Sequence, residues 1–386
     1  MKELRVGIVG YNFMGKAHTQ AWRNAPLYFG GDIQPVLKVV CGRSAGPLKA
    51  FAARWGWQQT ATDWRDVIGR DDIDIVDIAT PTATHHDIAI AAARAGKDIF
   101  CEKPLALNAQ QAKAMLAAAR KAGIVHYLNH NYRRCPAVML ARQLIDSGAI
   151  GRVFHWRGAY LQSWIVDPRF PLTWQLQAEH AGSGPHADLN SHSVDLARFL
   201  VGEIRSVNAM AAHFVTRRPL PRTGSTAFTG AGKGGKTGAV TVEDALFMVA
   251  QFDNGALGSF NATRFALGRK NYNTFEIYGS KGAIAFNLER MNELEYFSED
   301  DPSRARGFRT ILATESEHPY IANWWPPGHI IGYEHEVTHA VTDFLAAVST
   351  RRRITPNFAD GVKIMQVLDA GLKSAATGRR VTIPKA

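Results

Sequence analysis

Short apolar runs alternate with longer stretches of helical spacing over the first third of the chain. Residues 4–9, 36–41, 73–78, 99–105 and 125–129 read as buried strands. Between them, helices are predicted from Phe13 through Trp22, up to Trp55, over 84–95 and over 108–122, with Asp63 capping a short helix and Asn108 a longer one. Strands alternating with helices of this length predict a doubly wound parallel sheet over residues 1–130. After Arg134 the texture changes. Pro136 opens a helix to Ser147, and then 152–161, 206–213, 245–252, 258–263, 273–278, 282–287 and 293–297 alternate as strands do. Only two clear helices, 188–200 and 335–348, interrupt them, and turns such as Asp253-Asn254-Gly255 join neighbours. Residues 131–386 are therefore expected to form an α+β domain with a large, mainly antiparallel open sheet, making the chain α/β overall. Residues 217–240, rich in Gly, Thr and Pro, read as a surface excursion; 380–384, after a last helix over 360–376, reads as a strand docking on either domain.

With 386 residues, 46% hydrophobic and 20% charged, the chain can build two real cores. No apolar run approaches a membrane span, and Met1-Lys2-Glu3-Leu4-Arg5 runs straight into a strand without a signal-peptide pattern. A cytoplasmic protein without membrane contact is expected. Cys41, Cys101 and Cys135 lack motif spacing and read as small buried hydrophobes. The net charge of +11 is scattered instead of gathered in an aromatic-laced stripe, which argues against nucleic acid as a partner; Arg351-Arg352-Arg353 reads as a solvated loop. Such an excess still helps to steer an anionic cofactor or substrate.

The candidate reacting centre is Ile99-Phe100-Cys101-Glu102-Lys103-Pro104-Leu105. Open α/β sheets bind ligands at the carboxyl ends of their strands, and Pro104 ends this strand at Lys103, aiming the ammonium into the crevice. The competing reading pairs Lys103 with Glu102 on a solvated loop. At the first strand, Gly10-Tyr11-Asn12-Phe13-Met14-Gly15 gives the strand, glycine turn and helix that a dinucleotide pyrophosphate needs, so Gly10, Asn12, Phe13 and Met14 are cofactor candidates. Asn12 stands where a second glycine is expected, tolerating an unusual backbone angle there. After the second strand, Arg43 and Ser44 occupy the place where an acidic residue would hold the ribose of NAD, favouring NADP; stacking of Arg43 on the adenine would leave NAD usable.

A second cluster follows the turn Gly182-Ser183-Gly184-Pro185. Asp188 and His192, four apart on one helix, offer an imidazole general base and a carboxylate to orient it. A capping Asp188 with a satisfied core His192 is the competing reading. His186, Asp188 and His192 fit no common zinc spacing, and no metal is expected.

Taken together, Gly7-Ile8-Val9-Gly10 with Met14-Gly15, Ala79-Thr80-Pro81 with His85, Cys101-Glu102-Lys103-Pro104, and Asp188 with His192 resemble the Gfo/Idh/MocA oxidoreductases over essentially the whole chain. Further likeness to members acting on anhydrosugars lies in Phe13 to His18, Asn131-Tyr132-Arg133-Arg134, Tyr160-Leu161-Gln162 with Trp164, and Ala181-Gly182-Ser183-Gly184. The resemblance implies a Rossmann domain holding NAD or NADP, with Ala79, Thr80, Pro81, His85, Glu102 and Lys103 near the nicotinamide. It implies Lys103, Asp188 and His192 as catalytic and substrate-binding residues. Aromatic faces suit the C–H face of a sugar and an amide suits its hydroxyls, which makes Tyr132, Gln162 and Trp164 wall candidates. His186 departs from the family pattern, as Asn12 and the Arg43-Ser44 pair do, and is expected to alter what the pocket accepts. Trp324-Trp325 reads as another wall, a subunit contact or a core cover. The implied reaction is oxidation of a secondary ring hydroxyl of a sugar, anhydrosugar or glycoside, for example at C3. Two alternatives stay open: a cofactor-retaining redox glycosidase with His186 as its extra acid or base, and a non-catalytic sugar or nucleotide sensor. A homodimer or homotetramer is implied as well.

Overall fold

The computed structural model describes residues 1–221 and 236–384. It divides into two compact units, Met1–Arg134 with Tyr320–Val362, and Cys135–Pro319 with the chain from Lys363 onward.

The first unit runs β1 (Lys2–Val9), α1 (Phe13–Phe29), β2 (Ile33–Cys41), α2 (Ala45–Trp55), β3 (Gln59–Ala61), α3 (Trp64–Ile68), β4 (Ile75–Ile78), α4 (His85–Arg94), β5 (Asp98–Glu102), α5 (Ala109–Ala122) and β6 (His126–Asn129). All pairings are parallel, in the order β3-β2-β1-β4-β5-β6. The winding reverses between β1 and β4, which opens a crevice at their carboxyl ends. Both expected caps are present: Asp63 accepts from Arg65 N–H and Asn108 from Gln111 N–H, each at 2.9 Å. The core packs Val6, Ile8, Val40, Ile75, Phe100 and Tyr127 against Trp22. It also takes in Val337, Val341 and Phe344 of the helix Tyr333–Thr350, whose Phe344 ring meets Phe100 at 5.5 Å. This is why Tyr320–Val362 joins the first unit, where a single cut near residue 130 assigns it to the second. Its apolar stripe marks a helix that must be buried and carries no sign of which sheet buries it.

The second unit holds α6 (Pro136–Asp146), β7 (Val153–Leu161), α7 (Ala178–Ala181), α8 (Ser191–Leu200), β8 (Ile204–Ala212), a ribbon of β9 (Arg217–Pro219) and β10 (Thr237–Ala239), β11 (Ala245–Phe252), β12 (Leu257–Thr263), β13 (Tyr272–Gly279), β14 (Gly282–Asn287), β15 (Glu293–Ser298), β16 (Arg309–Leu312) and β17 (Val381–Thr382). Its sheet runs β16-β15-β14-β13-β7-β12-β11-β8-β17. Every pairing is antiparallel except β7 with β12. One face is buried through Trp156, Met248, Phe260, Phe275 and Ile277, whereas Met210, Phe247, Val249 and Leu257 on the other are exposed. The hairpin at Asn254 turns through Gly255, at φ +89°, a left-handed angle that glycine adopts without strain. The C-terminal strand pairs with β8, which assigns the 380–384 segment to this unit. Of the expected surface excursion, the ends form the β9–β10 ribbon, and 222–235 lie outside the described residues. Among the described residues, no helix is long and apolar enough to cross a membrane, and all three cysteines are buried thiols.

Candidate active site

The turn after β1 is shaped for an anion. Gly10 adopts φ +107°, and a Cβ there would lie 2.3 Å from the carbonyl oxygen of Ala79, so only glycine lets β1 and β4 open side by side. A Cβ on Gly15 would lie 2.3 Å from Gly10 O, the close strand-to-helix approach expected of a third fingerprint glycine. Asn12, at φ −77° and ψ −148°, lies outside the standard helical and extended regions, the unusual backbone expected of it, while the positive φ falls on Gly10. The Asn12 side chain does not cap α1, so first-turn N–H groups are left for a ligand, with exposed Phe13 and half-buried Met14 beside them. Arg43 and Ser44 are exposed at the mouth of β2, where α2 also begins without a side-chain cap. These features fit a bound dinucleotide.

Beneath Lys103 lies a buried polar network. His18, on the second turn of α1, has Nδ1 2.8 Å from Asp77 Oδ1 and Nε2 2.9 Å from Glu102 Oε1. Trp22 Nε1–H donates to Asp77 at 2.7 Å, and Asn129 Nδ2–H to Glu102 at 2.7 Å. With a carboxylate at each ring nitrogen, only the imidazolium can donate to both. Burial opposes that charge, yet Asp77 and Glu102 outweigh it and hold His18 at about 10. Glu102, counted from its motif among the cofactor contacts, is instead 4% exposed with its carboxylate turned into this network, where it also accepts from Lys103 N–H at 3.2 Å. Lys103 itself is half-buried at the end of β5. His85 is fully buried, its Nε2 2.9 Å from Thr80 O and its Nδ1 3.0 Å from Pro104 O. It ties the Ala79-Thr80-Pro81 loop to the Lys103-Pro104 loop. Tyr132 is buried after β6, edge-on to Tyr333 at 6.5 Å. Trp324 covers the core, its indole donating to His339 at 2.7 Å, and Trp325 is exposed.

In the second unit, residues His186–Asn190 form a π-helical turn leading into α8, an irregularity frequent at functional sites. Glu243, a buried carboxyl that burial pushes up, accepts from His186 N–H at 3.0 Å and anchors this turn. Gly184 is needed beside it, since a Cβ would lie 2.0 Å from Glu243 O. Asp188 accepts from Arg264 at 2.7 Å. Arg264 follows β12, is 1% exposed, and stacks over Trp164 at 5.1 Å. His192 is 4% exposed and lies 5.9 Å, ring to ring, from Tyr160. Gln162 receives the Trp164 indole N–H at 2.7 Å and donates to Asn271 at 2.9 Å. His186 overturns its expectation. It is fully buried, Nε2–H donating to Leu368 O at 2.9 Å and Nδ1 accepting from Asn190 Nδ2–H at 3.1 Å, and burial pushes it down to about 4. A neutral core imidazole with both nitrogens engaged is neither a pocket residue nor an extra acid or base. Arg264, Asn271 and Glu243 escaped the sequence reading, because their partners lie far along the chain and no local motif marks them; His18 entered it only at the end of the Phe13 to His18 likeness, with no role assigned.

Comparison with known proteins agrees with this fold. Residues 4–130 match the oxidoreductase family with an NAD-binding Rossmann fold, and residues 138–285 the GFO/IDH/MocA C-terminal domain. The levoglucosan dehydrogenase of Pseudarthrobacter phenanthrenivorans is 44% identical over 388 aligned positions, spanning 100% of this chain and 99% of that one. A solved levoglucosan dehydrogenase in complex with NADH and levoglucosan superposes with a TM-score of 0.94 at 42% identity over the whole of both chains. An oxidoreductase domain protein from Kribbella flavida does so with a TM-score of 0.94 at 46% identity, again over both whole chains. Glycine turn, Glu-Lys-Pro strand end and Asp188–His192 helix thus sit on a two-unit fold shared along its full length with such enzymes, and the chain belongs to the Gfo/Idh/MocA family of NAD-binding oxidoreductases.

Proposed function

We propose that this oxidoreductase is a dehydrogenase oxidising a secondary ring hydroxyl of a sugar or anhydrosugar to the ketone, with levoglucosan, at C3, as the first candidate. The observation carrying this reading is a helix that presents His192 with an Arg264-held Asp188, beside an indole and amide wall of Trp164 and Gln162. The full-length identity to levoglucosan dehydrogenase supports the substrate class. His192 takes the hydroxyl proton. Lys103 donates to the substrate oxygen as its charge develops, and Asp188, an acceptor while Arg264 holds it, orients the imidazole or a neighbouring hydroxyl. The nicotinamide, when bound, supplies the hydride acceptor. The test incubates the protein with NAD or NADP and a panel of levoglucosan, inositols, free hexoses and glycosides, following absorbance at 340 nm and sugar chromatography. Net reduced cofactor with a keto sugar supports the reading. Aglycone release without net reduction would make it a redox glycosidase, and binding without turnover a sensor.

Arg43 and Ser44 support use of NADP, while the NADH in the related structures supports NAD. If Arg43 meets a 2′-phosphate, Arg43→Ala lowers kcat/KM for NADP about 10-fold and leaves NAD nearly untouched. Equal losses for both cofactors would point to adenine stacking. The exposed apolar sheet face supports a homodimer or homotetramer closed over Phe247 and Val249, which are 52% and 58% exposed. Phe247→Asp is therefore expected to shift sedimentation towards monomer; an unchanged species would place the interface elsewhere.

A further inference from the structure

The candidate substrate residues of the second unit are linked by a chain of contacts running from His192 to Tyr160, Asn271, Gln162, Trp164, Arg264 and Asp188, and so back to the helical segment 186–200. Tyr160 OH lies 2.6 Å and Gln162 Nε2 2.9 Å from the same atom, Asn271 Oδ1, and Trp164 Nε1 lies 2.7 Å from Gln162 Oε1. Chemistry sets the direction of this chain. An indole N–H only donates, so the Gln162 atom facing Trp164 is its oxygen. Gln162 therefore turns its nitrogen to Asn271, the Asn271 atom receiving it is oxygen, and the Tyr160 hydroxyl beside that oxygen donates. Asn271 is itself held. Its N–H and that of Lys270 both donate to Glu289 Oε1, at 2.9 and 3.1 Å, and Glu289 N–H donates to Asn287 at 2.9 Å.

We propose that Asn271 is a specificity-determining residue that acts by positioning Tyr160 and Gln162 for a polyhydroxylated ring; the proposal rests on the sugar-dehydrogenase reading above. By taking the hydroxyl proton of Tyr160 and one amide proton of Gln162, Asn271 sets the wall's polarity. With its proton committed to Asn271, the Tyr160 oxygen can only accept from a ligand, and Gln162 turns one N–H of its amide to Asn271 and keeps the other. Each ring hydroxyl both donates and accepts, so an epimer with one hydroxyl reversed meets a wall that cannot turn to satisfy it and leaves a polar group unpaired. Asn271 thereby discriminates between epimers through the rigidity of its neighbours.

The experiment measures kcat/KM of the wild type and variants for the best substrate of the panel and for its epimer at one ring carbon. Their ratio cancels any loss of active enzyme, so a simple folding defect leaves it unmoved. Asn271→Ala frees two donors, and the ratio is expected to fall about 10-fold with a raised sugar KM, while NADH titrated by fluorescence binds as to the wild type. Asn271→Asp keeps an acceptor oxygen for both donors and is expected to hold the ratio within about 3-fold of wild type. If Asn271→Ala does not fold, Asn271→Ser, equally unable to span both donors, is held to the same outcome. An unchanged ratio in Asn271→Ala or Asn271→Ser overturns the proposal, as does an Asn271→Asp variant that loses as much as alanine. A wild type that oxidises no member of the panel overturns the functional reading and this inference with it, a result seen before any variant is made.

Discussion

Lys103→Ala is expected to lower kcat by about 10²–10³-fold, the usual loss when a donor aimed at a developing oxyanion is removed, while leaving the fold and NADH affinity intact. The reason the fold survives lies in Glu102. Its carboxylate is committed to His18 and Asn129 at 2.9 and 2.7 Å, so deleting the ammonium strands no buried charge. Lys103→Arg is expected to recover little, since a planar guanidinium cannot reproduce a compact ammonium at the same place. The measurement is steady-state oxidation of the best panel substrate, with thermal melting and NADH fluorescence titration as controls. Turnover within a few-fold of wild type would remove Lys103 from the chemistry.

The opposite pattern is expected of His18→Leu, which damages stability first and activity through it. Leucine fills the space and leaves Asp77 and Glu102 buried without their shared cation; breaking a buried ion pair from one side typically costs about 3–5 kcal/mol. The pH dependence has a definite sign. In the wild type the carboxylates hold His18 above its ordinary 6.5, at about 10, so its contribution is full below about 6.5 and is lost as pH rises through about 10. The variant lacks that alkaline decline, and its deficit is expected to narrow on acidification as the stranded carboxylates take up protons. Buried neutral histidines act in the other direction. Burial pushes His186 and His126 down to about 4 and His339 to about 3, so each withdraws stability as pH falls from about 6.5 towards those values. Urea denaturation between pH 5 and 10 checks both limbs, and a His18→Leu protein as stable as wild type at neutral pH would show that the network bears no load.

Much of the molecule was legible before its structure. Period and punctuation alone mark β1, β4, β5 and β6, because a strand buried on both faces must be an apolar run and a Rossmann winding must alternate it with helices. Asp63 and Asn108 announce the helices they cap, and Pro104 shows where β5 must stop. Shorter or edge elements were harder: β3 and β16 expose most of their residues and carry no strong pattern. The single parallel pairing of β7 with β12 depends on chain topology that no local signal encodes. The helix Tyr333–Thr350 was visible as a helix, but its sheet was not.

The same division runs through the site. Sequence by itself determined which groups can do chemistry: a glycine turn for an anion, a lysine at a strand end, an aspartate and a histidine on one helix, and an amide between aromatics. These are local facts, written in spacings of a few residues, and the backbone geometry of strand, turn and helix follows from them. What each side chain is committed to was decided only by the tertiary structure. His18 finds Glu102 from 84 residues away, and Asp188 meets Arg264 across 76. Glu102 and His186 look like site residues in their motifs and are core residues in the fold, and Asn271 and Arg264 look like nothing and brace the wall. The physical reason is that burial and partner choice are set by long-range packing, and in a low-dielectric interior they decide whether a polar group is charged, neutral or available at all.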